Sequence, residues 1–110
     1  MTTISPHEWR FEYSFRIAIT EGEHTAIVHF CGDFDAHTVA AFRRAVTIPT
    51  HREKVILDLT DLQFMDMTGA RELRSIERQL QGLGIRTHIH GAHNDIHKVL
   101  DICPPKRHAD

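Results

Sequence analysis

The sequence predicts a single α/β domain, residues 1–110, with a mixed, largely parallel four-stranded sheet in the order β-β-α-β-α-β-α. Three observations predict this class: an alternating apolar segment near the start, a continuous apolar run near the middle, and helical periodicity after the second, third and fourth predicted strands. A length of 110 residues and a hydrophobic content of 41% suffice for one core. We expect the core at about residues 13–103 and a flexible tail at 104–110.

The first two strands are predicted to form a hairpin. Apolar residues alternate from Trp9 to Ile19, which is typical of one half-buried strand. The polar stretch 20–24 turns the chain, and Thr25 to Cys31 runs back as the second strand. Gly32-Asp33-Phe34-Asp35 is expected to end this strand, with Asp35 as the N-cap of the first helix.

The first helix and the third strand are predicted from two different patterns. The helix extends to about Val46, because Val39, Phe42 and Val46 repeat at helical spacing. Residues 54–59 form an apolar run that is too short for a helix, and such a run is typical of a strand covered on both faces in a parallel sheet. We therefore expect this strand at the centre of the sheet.

The last three elements are a helix, a strand and a short helix. The second helix follows the turn 66–69 and extends to about Gly82, with a core stripe of Ala70, Leu73, Ile76 and Leu80. Gly82-Leu83-Gly84 is expected to end it. Residues 85–90 predict the fourth strand, and a final apolar stripe predicts a helix that ends before Pro104-Pro105.

Charge and hydropathy exclude several classes of function. The formal net charge of -2 does not favour direct nucleic-acid binding. The longest apolar runs fall far short of the roughly 20 residues of a membrane span, so no membrane insertion is expected. A secretory signal is not recognisable, and with only two cysteines we expect the cytoplasm. Cys31 and Cys103 are expected as buried free thiols, with a disulfide between them as the alternative.

The turn Asp66-Met67-Thr68-Gly69 carries the main functional hypothesis. It joins a buried strand segment to a helix start, where backbone N–H groups favour anions. A phosphate on Thr68 would add about 1.5 to 2 negative charges at this positive helix end, with Arg71 one turn along. The alternative is structural: Thr68 caps the helix, and Gly69 lets the backbone turn tightly.

Three segments together resemble a known family. They are Gly32-Asp33-Phe34-Asp35 after a hydrophobic strand, Val55-Ile56-Leu57-Asp58-Leu59, and Phe64-Met65-Asp66-Met67-Thr68-Gly69 before a helix. In order and spacing they resemble the STAS domain of anti-sigma factor antagonists and sulfate-transporter tails, over roughly Phe15 to Cys103. That family usually has Gly-Glu-Leu-Asp in the first segment and Asp-Ser-Ser-Gly in the third, where the hydroxyl residue before the glycine is the phosphoacceptor.

The resemblance implies a SpoIIAA-like fold and a role for each residue that matches. Thr68 takes the position of the phosphoacceptor, although threonine replaces the more frequent serine. Met67 departs from the family, because it replaces a small hydroxyl residue; an exposed methionine is a flexible apolar contact suited to binding. The residues implied or proposed to contact the partner are Asp33, Asp35, Asp66, Met67, Gly69, Arg71 and Arg74.

The partner implied by the resemblance is an anti-sigma factor of the serine/threonine kinase type, in a bacterial partner-switching pathway. The chain would supply no chemistry and hold no cofactor, and no nucleophile elbow or paired-carboxylate motif contradicts this. A homodimer or a larger assembly is compatible with such a domain. The alternative is a scaffold that is not phosphorylated, or an accessory subunit of a signalling assembly or a transporter.

Two further clusters have both a functional and a structural interpretation. Arg71, Arg74 and Arg78 are spaced to form a basic stripe, which is either a solvated face or a contact for an acidic partner. The histidines form a second cluster, for which zinc binding is the alternative, at His88, His90, His93 and His97. Because recognised zinc spacing is absent, we expect solvent-facing imidazoles.

Overall fold

The computed structural model of the chain describes residues 7–11 and 14–103. Within these ranges the predicted α/β class with a mixed sheet is confirmed, with six strands in place of four. The elements in chain order are β1 (His7–Phe11), β2 (Phe15–Glu21), β3 (Thr25–Phe34), α1 (Ala36–Ala45), β4 (Lys54–Asp58), β5 (Leu62–Met65), α2 (Met67–Gly82), β6 (Arg86–His90) and α3 (Asn94–Ile102).

The sheet has the spatial order β1-β2-β3-β4-β6, with β5 paired to β3 beyond the end of β4. The pairs β1–β2 and β2–β3 are antiparallel, whereas β3–β4, β3–β5 and β4–β6 are parallel. The first part of β3, Thr25 to His29, therefore pairs with β4, and its end, Gly32 to Phe34, pairs with β5.

The opening segment differs from the prediction, because Trp9 to Ile19 forms two strands and not one. The strands β1 and β2 make an antiparallel hairpin in which Phe11 pairs with Phe15. Since cross-strand partners point to the same face, the apolar alternation continues in phase across the connection, and the pattern alone does not reveal a turn. The predicted strand residue Tyr13 lies outside the described residues.

Two predictions about the end of β3 are corrected by the structure. The strand does not break at Gly32 but runs to Phe34, with Gly32 at a positive φ of 94° and a register shift between Gly32 and Asp33. The segment Leu62–Met65, which was not predicted as a strand, is the short strand β5 beside this end. The extra residue at this shift is Gln63 of β5, since consecutive residues of β3 pair with Leu62 and Phe64; such a bulge allows the pairing to continue past the irregularity.

The hydrophobic core lies on one face of the sheet. Every second residue of β4 is buried, since Val55 and Leu57 are fully buried whereas Ile56 is only partly covered. The expectation that this strand is covered on both faces is therefore wrong. In the chain, α1 connects β3 to β4, and α2 precedes β6. Both connections cross the sheet in the same direction, from β3 towards β6. Right-handed connections in one direction place both helices on the same side of the sheet.

The remaining helix boundaries agree closely with the sequence pattern. Helix α1 ends at Ala45, and α2 ends at Gly82 with Leu83 as its C-cap. Cys31 and Cys103 are free thiols, each partly buried. The predicted stop at Pro104-Pro105 and the tail 104–110 lie outside the described residues. In the described part of the chain, none of the helices combines the length and the apolar character needed to cross a membrane.

Candidate functional site

The turn at residues 66–69 lies where two helices begin side by side. Phe34 at the end of β3 and Met65 at the end of β5 are register partners in parallel strands. The next residue in each strand is an aspartate, Asp35 or Asp66, and each is the N-cap of the helix that follows. The starts of α1 and α2 are therefore neighbours at one edge of the sheet, and the turn between β5 and α2 is part of this edge.

The cap of α2 is Asp66 and not Thr68. The Oδ1 atom of Asp66 accepts a hydrogen bond of 2.9 Å from the backbone N–H of Gly69. Thr68 is the second residue of the helix and is only partly buried. Within residues 7–11 and 14–103, its hydroxyl makes no hydrogen bond. The structural alternative for Thr68 is therefore wrong, and its hydroxyl is left free for another role.

The expected contact residues Asp33 and Asp35 are both partly buried and both bonded within the domain. Asp35 caps α1 as predicted: its Oδ1 accepts from the backbone N–H groups of His37 and Thr38, at 3.0 and 3.1 Å. The Oδ2 atom of Asp33 accepts from the Ser14 hydroxyl at 2.9 Å. These bonds fix both carboxylates beside the turn, and each uses only one carboxylate oxygen.

Gly69 is buried, so its role is packing and not direct contact with a partner. A Cβ atom here would overlap the carbonyl oxygen of Phe34 and would lie 2.8 Å from Cγ of Met65. The backbone φ of Gly69 is not positive, so the predicted reason for glycine, a tight turn, is also corrected. Glycine is required because the first turn of α2 lies directly on the end of β3.

The electrostatics of the edge favour a negative group at the start of α2. Neither α1 nor α2 has an acidic residue in its first turn, so the cap carboxylates of Asp35 and Asp66 are the acidic groups at these helix ends. A helix N-terminus carries about half a positive charge. A phosphate on Thr68 would interact favourably with this end of α2 while adding negative charge two residues after the cap carboxylate of Asp66.

Phe64 is a surface residue that the sequence pattern did not single out. Its side chain is 50% exposed, two residues before Asp66. In β5 the first and last residues, Leu62 and Met65, are buried, whereas Gln63 and Phe64 between them are exposed, so buried and exposed residues do not alternate. A phenylalanine in a short apolar segment predicts core, and only the lack of alternation shows that Phe64 points outward. Together, Phe64 and partly exposed Met67 give the turn an apolar surface.

The three arginines of the predicted basic stripe do not all face solvent. Arg71 and Arg78 are exposed, but the guanidinium of Arg74 points to the end of α3. There it donates to the carbonyl oxygens of Cys103, at 2.6 Å, and Leu100, at 3.1 Å. Arg74 also pairs with Glu77 at 3.0 Å. This arginine therefore joins α2 to α3, and Arg71 is the cation of the stripe nearest to Thr68.

An ion pair that no sequence pattern indicates fixes α2 against α1. Nε and a terminal nitrogen of Arg43 donate to the same Glu72 oxygen, at 2.8 and 2.6 Å. The Glu72 side chain is 9% exposed, whereas Arg43 is 65% exposed. The hydrogen bond to Glu72, together with the charge of Glu72, raises the pKa of Arg43. The pair lies one helical turn after Thr68 and holds the start of α2 in place.

The four clustered histidines do not share a site. His88 and His90 are exposed on one face of β6, as their spacing predicts. In contrast, Nε2 of His93 lies 2.8 Å from the carbonyl oxygen of Leu62, and His97 pairs with Asp101 at 3.2 Å. Among the described residues, no group of three or more histidine, cysteine, aspartate or glutamate side chains is placed to hold a metal ion.

The chain is similar in sequence to one protein family and in fold to several solved structures. Residues 16–107 match the STAS domain family. Two similar solved structures are anti-sigma factor antagonists: SpoIIAA in its unphosphorylated form, with a TM-score of 0.66, 20% identity and 79% of each chain covered, and a STAS domain from Rhodobacter sphaeroides, with a TM-score of 0.64, 16% identity, 71% of this chain and 87% of that chain.

A transporter contains a similar domain. The murine Slc26a9 anion transporter in its inward-facing state matches 89% of this chain at a TM-score of 0.60 and 14% identity, but only 18% of the transporter is covered. No curated protein sequence matches the chain. At these identities the solved structures establish a shared fold.

Proposed function

The chain belongs to the STAS domain family, and we propose that it is an anti-sigma factor antagonist controlled by phosphorylation of Thr68. Without phosphate it binds an anti-sigma factor kinase and so releases a sigma factor. With phosphate on Thr68 this binding ends. The observation that carries the proposal is the position of Thr68: partly exposed in the first turn of α2, with a hydroxyl that the cap Asp66 leaves unused.

The proposed docking surface consists of the turn Asp66–Thr68, the neighbouring Asp33 and Asp35, and the exposed Phe64. Its apolar part is provided by Phe64 and Met67, which lose solvent contact when the partner binds. The kinase supplies ATP and magnesium, and Thr68 supplies only the acceptor oxygen. Apart from Thr68, no side chain of this chain has to take part in the chemistry.

Phosphorylation would end binding through charge. Each new contact between like charges at about 4 Å costs roughly 1 to 4 kcal/mol, depending on exposure to solvent. This corresponds to a loss of affinity of about fivefold to nearly a thousandfold. The domain itself tolerates the phosphate, because the charge lies at the positive end of α2 and within one turn of Arg71.

The test is phosphorylation of the chain by its cognate kinase in the presence of ATP, followed by intact mass spectrometry. We expect one phosphate adduct on the wild type and none on Thr68→Ala. Thr47→Ala, at an exposed position of the loop after α1, is the control and should keep the adduct. An adduct that persists in Thr68→Ala would contradict the assignment of the acceptor.

The effect on binding is tested with Thr68→Glu and the neutral, equally long Thr68→Gln. If negative charge controls docking, Thr68→Glu binds the kinase more weakly than Thr68→Gln. Equal binding of the two variants, combined with no phosphate adduct on the wild type, would favour the second candidate function, an accessory subunit of a signalling assembly or a transporter.

A further inference from the structure

The sheet face opposite the helices carries a distinct surface, which we call the open face. Its centre is apolar, because Ile27 of β3 and Ile56 of β4 are register partners there. Both are only partly buried, whereas their sequence neighbours Val28 and Val55, on the helix side, are fully buried. None of the described helices covers this pair, so its apolar surface is available to another molecule.

The open face has a pair of like charges at each of two opposite corners. At one corner Arg10 of β1 is directly opposite Arg16 of β2. At the other corner Lys54 of β4 is directly opposite Arg86 of β6. Like charges that face each other across neighbouring strands destabilise a sheet. A negatively charged group bound beside these two pairs would relieve the repulsion between the cations.

The domain itself does little to neutralise these cations. Arg10 approaches Glu8 at 3.8 Å, and a terminal nitrogen of Arg16 lies 3.4 Å from the Cys31 sulfur. Within the described ranges, Lys54 and Arg86 form no ion pair. The open face is therefore basic, in a chain whose formal net charge is -2.

Asp58, a carboxylate of the open face between the two corners, is already engaged. It lies 2.9 Å from Nδ1 of His29, and its second oxygen accepts from the Thr60 hydroxyl at 2.6 Å. Because Asp58 is held by these two side chains, it does not neutralise the arginines and the lysine at the corners.

We propose that the open face is a second docking surface, and that its partner is a protein segment forming an amphipathic helix with acidic residues near both ends. The apolar stripe of such a helix would cover Ile27 and Ile56, and its acidic residues would meet the two cationic corners. A nucleic acid fits this face less well, because its phosphate backbone would lie against an apolar centre and against Asp58 and Glu8.

The register of the sheet gives the length of the partner helix. Along β3 the two corners are marked by Cys31, the partner of Arg16, and Thr25, the partner of Lys54. The two positions are six residues apart along β3, about 20 Å at 3.3 Å per residue. Arg16 and Lys54 also lie two strands apart across the sheet, about 10 Å, so the diagonal between them is about 22 Å. A helix rises about 1.5 Å per residue, so acidic residues about 15 positions apart reach both corners.

The probe for a test is a synthetic helical peptide with a leucine stripe and glutamates about 15 positions apart. Titrated into the ¹⁵N-labelled full chain at low salt, it should shift the amide signals of β2, β3 and β4 more than those of α1 and α2. Arg16→Glu and Lys54→Glu should each weaken binding about three- to tenfold. The matched controls Arg44→Glu and Arg78→Glu, at exposed positions on the helix side, should not.

Three outcomes would overturn the proposal. One is equal binding of a peptide with lysines in place of the glutamates. Another is loss of binding in the two control variants to the same extent as in the open-face variants, after circular dichroism has shown that all four fold. The third is self-association through the open face, or capture of anionic vesicles, that Arg16→Glu and Lys54→Glu abolish while peptide binding is unchanged. None of these measurements depends on Thr68, so they do not test the phosphorylation proposal.

Discussion

Gly69 lies directly on the main-chain carbonyl of Phe34, where the first turn of α2 crosses the end of β3. This contact links two segments that lie far apart in the sequence but together build the edge with the docking turn. It also fixes the depth of α2 on the sheet, and with it the exposure of Thr68 one residue earlier.

Replacement of Gly69 by alanine should therefore destabilise the domain. The added methyl group overlaps the Phe34 carbonyl oxygen and lies 2.8 Å from Cγ of Met65, so the helix has to shift. We expect a loss of about 2 to 3 kcal/mol in the free energy of unfolding, measured by urea denaturation. Gly82→Ala is the control: it lies in the same helix with no atom within 4 Å of the new Cβ, and it should be neutral or slightly stabilising.

The assignment of the helix cap predicts different effects at Asp66 and Thr68. Asp66→Ala removes the acceptor for the Gly69 N–H and should cost about 1 kcal/mol, whereas Asp66→Asn keeps an acceptor and should cost less. Thr68→Ala should change the stability by less than about 0.5 kcal/mol, because its hydroxyl does not cap. Thermal or urea unfolding measures all three; a larger loss at Thr68 than at Asp66 would show that the cap has been misassigned.

The carboxylate of Asp58 predicts a dependence of stability on pH. Partial burial raises its pKa, but hydrogen bonds from the Thr60 hydroxyl and backbone, and from His29, outweigh the burial and lower it overall. A folded-state pKa below the unfolded value means that the ionised group stabilises the fold above the unfolded pKa of about 3.9, and that this contribution is lost as the pH falls through the lower folded pKa.

Asp58→Asn should therefore cost about 1 to 2 kcal/mol at pH 7, and the difference from wild type should shrink below about pH 4. Urea denaturation at a series of pH values measures it. Asp61→Asn, at an exposed position in the adjacent turn, is the control and should show little difference at any pH. A difference for Asp58→Asn that stays constant down to acid pH would contradict the ionised role.

The exposed ring of Phe64 should matter for binding and not for folding. Phe64→Ser removes an exposed aromatic ring two residues before Asp66, and aromatic residues at the centre of an interface typically contribute about 1 to 3 kcal/mol to binding. We expect a loss of affinity for the anti-sigma factor of about five- to 150-fold by calorimetry. Leu83→Ser, with 64% exposure at the far end of α2, is the control. Equal affinities of the two variants would place the docking surface elsewhere.

Much of the fold was predictable because its signals are local. The cap at Asp35 and the end of α2 at Gly82 depend on residues within one turn of each other. The hairpin between Phe11 and Phe15 was not predictable from alternation, because the pattern is identical with and without the turn. Strand β5 was missed because only four residues form it and they do not alternate.

The position of the site was predictable from the sequence, but the role of each residue in it was not. Helical spacing placed Arg74 on a basic stripe, but its bonds to the end of α3 involve residues 26 and 29 positions away. The packing of Gly69 on Phe34 likewise depends on how far apart two segments finally lie. Contacts of this kind arise from the assembled tertiary structure and leave no periodic signal in the sequence.

Strand β3 pairs with β4 over one part of its length and with β5 over another. This division allows the part beside β5 to respond to binding without the rest of the sheet. Strand β4 holds one part of β3, while the four-residue β5 holds the other beyond the register shift after Gly32. Since β5 contributes few ladder bonds, we expect its pairing to open at a lower free energy than that of β4. Binding of a partner to the turn beside β5 would thus slow amide hydrogen exchange at residues 62–65 and leave the exchange of the central strands unchanged.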